Sequence, residues 1–270
     1  MIGACLKWVE RRPEVDPLTG EVATDPRTSG ASEADQAALE WALRLAAAWG
    51  DEVVAVTAGP AGAEAVLREA LAAGAARAVR VDLPAGAPSE AVAAGLAGAL
   101  PEAGVVVCGD WSIDRGSGAV PAFLAAHLGA AQALGLVDVE VTAAGQVRAE
   151  RRLDGGRRER VAVVAPMVLS VEGRLRLRRA PLDGVLAARD AAIPVRAGPP
   201  MPEHLPVRTA PYRPRARVLP APRGLSARER VLALTGALAD RTPPEKVVLD
   251  PEAAADRVLA QLRAWGYVDR

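Results

Sequence analysis

The stretch that most constrains this chain is VVVCGDWSIDRGSGAVPAFLAAHLG, Val105 to Gly129. Val105, Val106, Val107 and Cys108 form an unbroken apolar run, three of its four residues β-branched, with no polar alternation. Such a run suits a strand covered on both faces, which places it in a mostly parallel sheet between two helical layers. Gly109 ends the run. A loop with Asp110, Asp114, Gly116, Ser117 and Gly118 follows, and Ala119 to Leu128 then has helical spacing. A helix that starts straight after such a loop presents unpaired N–H groups and the positive end of its dipole, which favours a phosphate. Many strand–loop–helix units also carry two glycines for turn geometry alone, so spacing by itself leaves both readings open.

The preceding residues repeat the pattern. Ile2–Leu6, Glu52–Thr57 and Ala78–Val81 read as strands, and Pro13 to Asp25 as a surface hairpin around Pro17 and Gly20. Ser32 can cap a helix to Ala48, with Asp35 as a short capping-box acid. Along it Ala38, Leu39, Ala42, Leu45, Ala46 and Trp49 recur at helical spacing. A helix over Ala61–Ala73 follows the Gly59-Pro60 turn, and Pro88 opens another over Ser89–Leu100. Strands alternating with helices predict an α/β fold of three layers, α/β/α, with a mainly parallel sheet.

After Ala133 the period changes. Val137–Val141, Gln146–Leu153 and Arg158–Val164 look extended, the last two joined by Asp154-Gly155-Gly156, and Pro166–Val171 reads as one more strand. This predicts an added antiparallel β region. Its charged positions, Arg148, Arg151, Arg158 and Arg160, suit a solvated strand face better than a phosphate grip. Leu182 to Ala192 fits a short helix or a loop. From Gly198 to Gly224 proline recurs every few residues, as in an extended arm. A helix from Ser226 to about Asp240 and one capped by Asp250 close the chain, the latter with Ala254, Val258, Leu259, Leu262 and Trp265 on one face. The expected organisation is an α/β domain over 1–195, a proline-rich arm over 196–224 and a C-terminal helical arm over 225–270.

Composition excludes several functions. The 33 basic residues balance 33 acidic ones, and one Phe with two Tyr leaves little to stack on bases, so nucleic-acid binding is not expected. No apolar run approaches the roughly 20 residues a bilayer span needs. The start lacks the order of a signal peptide, which predicts a cytoplasmic protein without membrane insertion. Cys5 and Cys108 lack a CxxC partner and read as buried free thiols, and with His127 and His204 they make no metal set. Ser117, His127 and Asp114 lack a nucleophile elbow, so hydrolysis is not expected. Trp111, in the candidate nucleotide loop, can stack on a ring. These residues describe an adenine-nucleotide-binding domain with a partner-seeking tail and no evident catalytic group.

The chain resembles the β subunit of electron transfer flavoprotein over nearly its whole length. The matching pieces, in order, are CLKWV, VDPLTGEVATD, SEADQAALEWALRL, VVAVTAGP, AEAVLREALAAGAARAVRV, the Val105–Gly129 stretch, ERRLDGGRRERVAVVAPMVLSVEGRLRL, PLDGVLAARDAAIP and DPEAAADRVLAQLRAWGYV. The resemblance implies a HUP-like adenine-nucleotide-binding fold and a heterodimer with an α subunit. In that arrangement one FAD lies mostly in the α subunit and carries electrons from dehydrogenases to an acceptor. The β subunit is an electron carrier component without turnover chemistry of its own, and holds AMP as a structural ligand.

Carried over by position, the AMP contacts fall on Cys5, on Ser32, Glu33, Ala34 and Asp35, and on Ala58. They continue on Arg115, Gly116, Ser117, Gly118 and Ala119 of the loop and on Val120, Pro121, Ala122, Phe123, Leu124, Ala125 and Ala126 of the next helix. The family's loop for docking dehydrogenases falls on Leu182 to Ala192 with Leu182 as anchor, and the last helix, with Leu259, Leu262 and Trp265, would grip the α subunit. The chain also departs from the family. Gly109-Asp110-Trp111 replaces Gly-Lys-Gln, and Ser32-Glu33 replaces Asn-Pro, which sets Glu33 against a nearby phosphate. Gly184, Arg189, Asp190, Ala191 and Ala192 replace polar and basic loop residues. These changes imply a divergent branch with a specialised redox partner, such as a dehydrogenase system built on the peptide-derived cofactor mycofactocin. They leave three alternatives open: a second FAD in the β site, a non-redox nucleotide sensor, and an empty pocket in a scaffolding subunit.

Overall fold

The computed structural model describes residues 1–201, 226–235 and 246–267. The chain divides into two units, Met1–Tyr212 and Arg213–Arg270. Most of the proline-rich arm, His204 and the predicted helix beyond Thr235 lie outside the described residues.

The first unit opens with β1 (Ile2–Cys5), β2 (Trp8–Glu10), β3 (Glu14–Val15), β4 (Val22–Ala23), β5 (Ser29–Ala31) and α1 (Glu33–Trp49). It continues with β6 (Val53–Gly59), α2 (Glu64–Ala73), β7 (Arg77–Asp82), α3 (Ser89–Ala99), β8 (Val105–Gly109) and α4 (Val120–Leu128). Then come β9 (Ala131–Ala143), β10 (Gln146–Arg152), β11 (Arg158–Val164), β12 (Met167–Val171), α5 (Leu182–Arg189) and β13 (Val195–Ala197).

One nine-stranded sheet has the order β11-β10-β9-β12-β8-β1-β6-β7-β13. The neighbours from β9 to β13 pair in parallel, while β10 pairs antiparallel with both β9 and β11. The predicted mixed, mainly parallel α/β sheet with a small antiparallel region is therefore what the chain forms. Its two faces carry separate cores. Leu39 and Leu45 of α1 and Val66 and Leu67 of α2 pack with Val53, Ala55, Val105 and Val107 on one side. Ala93 and Leu96 of α3 and Leu124 and Ala125 of α4 pack with Val54, Val56, Val106 and Cys108 on the other. The valines alternate between faces and both faces are covered, which explains the absence of polar alternation in these strands.

Four strands depart from the expectations. β2 pairs with β5 as a separate antiparallel ribbon, three residues each, too short to leave a period in the sequence. β9 starts at Ala131 rather than Val137. Its first half, Ala-Gln-Ala-Leu-Gly, has low strand propensity, and Gly135 sits at φ +69° with its N–H donating to Ser170 Oγ at 3.0 Å. β13, which spans the expected boundary between the domain and the arm at 195/196, docks on the sheet edge beside β7. The open choice at Leu182–Ala192 resolves as a helix, α5.

The arginines of the antiparallel region pair with carboxylates on neighbouring strands. Arg148 meets Glu140 at 3.2 Å, Arg151 meets Glu159 at 2.5 Å, and Glu150 takes both Arg158 at 2.5 Å and Arg160 at 3.2 Å. They are engaged across the ladder, as a solvated strand face requires.

In the second unit α6 (Ala227–Thr235) begins with a reciprocal box: Ser226 Oγ accepts from Glu229 N–H, and Ser226 N–H donates to Glu229 Oε2. Helix α7 (Pro251–Ala264) is capped by Asp250, whose Oδ1 accepts from the N–H groups of Glu252 at 3.1 Å and Ala253 at 3.0 Å. Trp265 and Tyr267 follow in an edge-to-face pair 6.4 Å apart.

Candidate functional site

The chain enters the sheet at β1, builds outward through β6 and β7, and returns to the opposite side of β1 at β8. The crossovers therefore diverge between β1 and β8, and a crevice opens at their carboxyl ends, where open α/β sheets bind ligands. A cavity of about 830 Å³ lies there. Its walls are the segments that follow β1 (Cys5 to Arg11), β6 (Ala58 to Ala63), β7 (Pro84 to Ser89) and β8 (Cys108 to Pro121), closed on one flank by Val15 and Val22 of the hairpin.

Of the residues singled out in the sequence, Cys5, Ser32, Asp35, Ala58, Arg115, Ser117, Gly118, Val120 and Pro121 line this cavity together. Others do not. Leu124 and Ala125 are buried in the sheet-facing core of α4, and Phe123 and Ala126 point to solvent. Glu33 is exposed and lies beside Gly173, and Ala34 is covered by Gly109, so neither side chain forms the wall. Only the first turn of α4 meets the cavity. Ala119 supplies no side-chain cap there, and Pro121 brings no N–H.

The loop before α4 is tied down at several points. Lys7, just past β1, donates to Ser112 Oγ at 2.8 Å and to Asp114 Oδ1 and Oδ2 at 2.6 and 2.7 Å. Ser112 Oγ also donates to Asp114 Oδ1, and Ser112 and Ser117 bridge across the loop. Arg115 donates to the Gly86 carbonyl, joining this loop to the one after β7. At Gly118 a Cβ would overlap the Asp110 carbonyl oxygen, so only glycine lets the two arms of the loop meet. Burial raises the Asp114 carboxyl, but Lys7 and Ser112 outweigh it and hold it below the ordinary value.

The acid end of the capping box is held well above its ordinary value. Asp35 N–H donates to Ser32 Oγ at 3.1 Å, and Ser32 Oγ donates back to Asp35 Oδ2 at 2.7 Å. Burial pushes Asp35 up to about 6, against the pull of Ser32 and of the Lys7 charge. Glu10, also in the lining, is held down at about 2 by Thr28 and by the N–H groups of Arg12 and Asp25.

The lining is apolar over most of its surface, with Lys7, Arg11 and Arg115 against Glu10, Asp35 and Asp114. Among the described residues no group of three or more histidine, cysteine, aspartate or glutamate side chains could hold a metal. The arrangement suits a flat apolar ring against the strand ends and a polar portion toward the loop and α4. Sequence reasoning missed Lys7, Glu10 and Arg11, and the part of the wall from Pro84 to Ala87. Lys7 meets Asp114 107 residues along the chain, and the partners of Glu10 and Arg11 lie up to 19 residues away across the β2–β5 ribbon, so neither leaves a periodic signal.

The model of the electron transfer flavoprotein domain matches residues 20–199, most of the first unit. Protein FixA of Rhizobium meliloti (strain 1021) is 31% identical over 197 residues, covering 68% of this chain and 68% of its own length. With this fold and a crevice of this kind at the divergence of β1 and β8, the chain belongs to the electron transfer flavoprotein family of electron carriers, as a distant homologue of FixA.

Proposed function

We propose that the chain is the β subunit of a heterodimeric electron transfer flavoprotein, with AMP as a structural ligand in the crevice between β1 and β8. The crevice carries this reading. It offers an apolar slot at the strand ends, a first helical turn without a side-chain cap, and a loop pinned by Lys7 and Gly118. The FAD, held mainly by the α subunit, supplies the redox chemistry; this chain supplies position and electrostatics. Dehydrogenases dock on α5, where Leu182, Val185 and Leu186 are exposed on one face. Leu259 and Leu262 of α7, with Trp265 just after it, hold the α subunit.

One observation favours a second reading. At about 830 Å³ the cavity lies in the upper part of the roughly 300–1,000 Å³ range of small-molecule sites, and half-exposed Trp111 stands at its wall, which suits a dinucleotide such as a second FAD. The test is to co-express the chain with its α subunit, denature the purified complex and identify what is released. One FAD and one AMP per heterodimer is the expected result. Two FAD and no AMP replaces it with the second reading, and a colourless complex without nucleotide overturns both.

A further inference from the structure

The chain has two cysteines, 103 residues apart in sequence, and the fold sets them side by side. Cys5 ends β1, Cys108 lies in β8, and the two are directly paired in the parallel register of those strands. Paired residues on neighbouring strands put their side chains on the same face with Cα atoms about 4.8 Å apart, inside the roughly 4.4–6.8 Å range that disulfides bridge. Both thiols are free, only 5% and 4% exposed, and both contribute to the floor of the crevice. The cavity gives a small reagent access to sulfurs that the rest of the fold covers, and an occupant of the cavity removes that access.

We propose that Cys5 and Cys108 form a dithiol modification site on the floor of the nucleotide crevice, oxidised to an intramolecular disulfide by a low-molecular-weight disulfide and shielded when a nucleotide is bound. The shielding rests on the nucleotide reading above; the dithiol itself does not. Contact with the Cys5 sulfur, together with burial and the nearby Asp35 carboxylate, keeps Cys108 protonated well above its usual range. Cys5, the last residue of β1 and part of the crevice floor, makes the first attack. Its thiolate attacks one sulfur of the oxidant and expels the other half as a thiolate. Cys108 then gives up its proton, attacks the Cys5 sulfur and expels the second half. Two protein S–H bonds and one oxidant S–S bond are replaced by one protein S–S bond and two small-molecule S–H bonds, with two electrons passing to the oxidant.

The full chain, freed of nucleotide by phosphatase and desalting, is incubated with glutathione disulfide at alkaline pH and digested with trypsin without reduction. Cleavage after Lys7, Arg80 and Arg115 puts Cys5 in peptide 1–7 and Cys108 in peptide 81–115. The expected result is a cross-linked pair of these peptides, formed at least about tenfold more slowly when AMP is present at saturating concentration. Cys108→Ala is expected to stop at a mixed disulfide on Cys5. Peptides that stay separate in the nucleotide-free chain overturn the dithiol site, whatever the nucleotide-release measurement gives. A cross-link whose rate ignores AMP overturns the shielding; if the complex still releases AMP, the nucleotide reading stands without it.

Discussion

Asp35 is held where an ionised carboxylate is costly, and its neighbours only partly offset that cost. With the folded group at about 6 and an ordinary carboxylate at 3.8, the native state binds this proton more tightly than the unfolded chain. Stability from the neutral acid is therefore complete at low pH and falls as pH rises from about 4 through about 6, by on the order of 2–3 kcal/mol. Asp35→Asn keeps an acceptor for the Ser32 hydroxyl and removes the ionisation. Its melting temperature at pH 7.5 is expected to exceed that of the parent by several degrees, with the difference shrinking toward pH 5. A constant difference across that range in thermal melts would refute the assignment. If the variant gains stability but loses nucleotide, the strain is one the site keeps for binding. The Ser32–Asp35 box was legible because capping is local, four residues in a row. The surroundings that perturb Asp35 were not, because Gly109 of β8 covers it and Lys7 pulls against that burial, both from other parts of the chain.

At the scale of elements, the strand–loop–helix unit from β8 to α4 was readable nearly to the residue. A β-branched run, a loop with glycines and an alanine-rich helix each state their conformation locally. The first half of β9, the β2–β5 ribbon and β13 were not readable, since each is a short or weakly β-forming segment held in place by a strand already present. The loop between β8 and α4 falls in between: its glycines were visible, and the reason for Gly118 was not. Gly118→Ala pushes a Cβ into the Asp110 carbonyl, so the arms must separate and Ser112 and Asp114 leave Lys7. The expected outcome is a complex that keeps its sheet by circular dichroism but retains less than about a tenth of the bound nucleotide, with about 1–3 kcal/mol lost in stability. Lys7→Met, which leaves the loop glycines untouched, is expected to weaken nucleotide retention in the same direction. Full nucleotide retention in both variants, read by release on denaturation, would show that the pinned loop does not hold the ligand.

For the whole molecule, the reading requires two protein contacts made by different parts of the chain. One is α5. Arg68 of α2 fastens the end of this helix by donating to the carbonyls of Ala188, Arg189 and Ala191 at 3.0, 2.9 and 3.1 Å, while Leu182 remains 75% exposed at its start. The fastening satisfies carbonyls that a helix end otherwise leaves unpaired, and it fixes the direction in which the exposed leucines point. The other contact is α7 with the Trp265 that follows it, where Val258, Leu259 and Trp265 are exposed and Leu262 is half-buried. A helix of 14 residues gains little from propensity alone, so an apolar stripe on it implies a partner surface. The two contacts must then be separable. Leu262→Asp, with Trp265→Ala as a milder companion, is expected to lower recovery of the α subunit on co-purification at least about tenfold, because a buried charge or a lost anchor costs several kcal/mol at an interface. Leu182→Ala is expected to leave the complex and its flavin intact and to slow reduction of that flavin by the physiological dehydrogenase about tenfold, the loss of one exposed anchor. If Leu182→Ala dissociates the subunits, or if Leu262→Asp leaves assembly unchanged and slows only flavin reduction, the assignments of α5 to the dehydrogenase and of α7 to the α subunit are reversed.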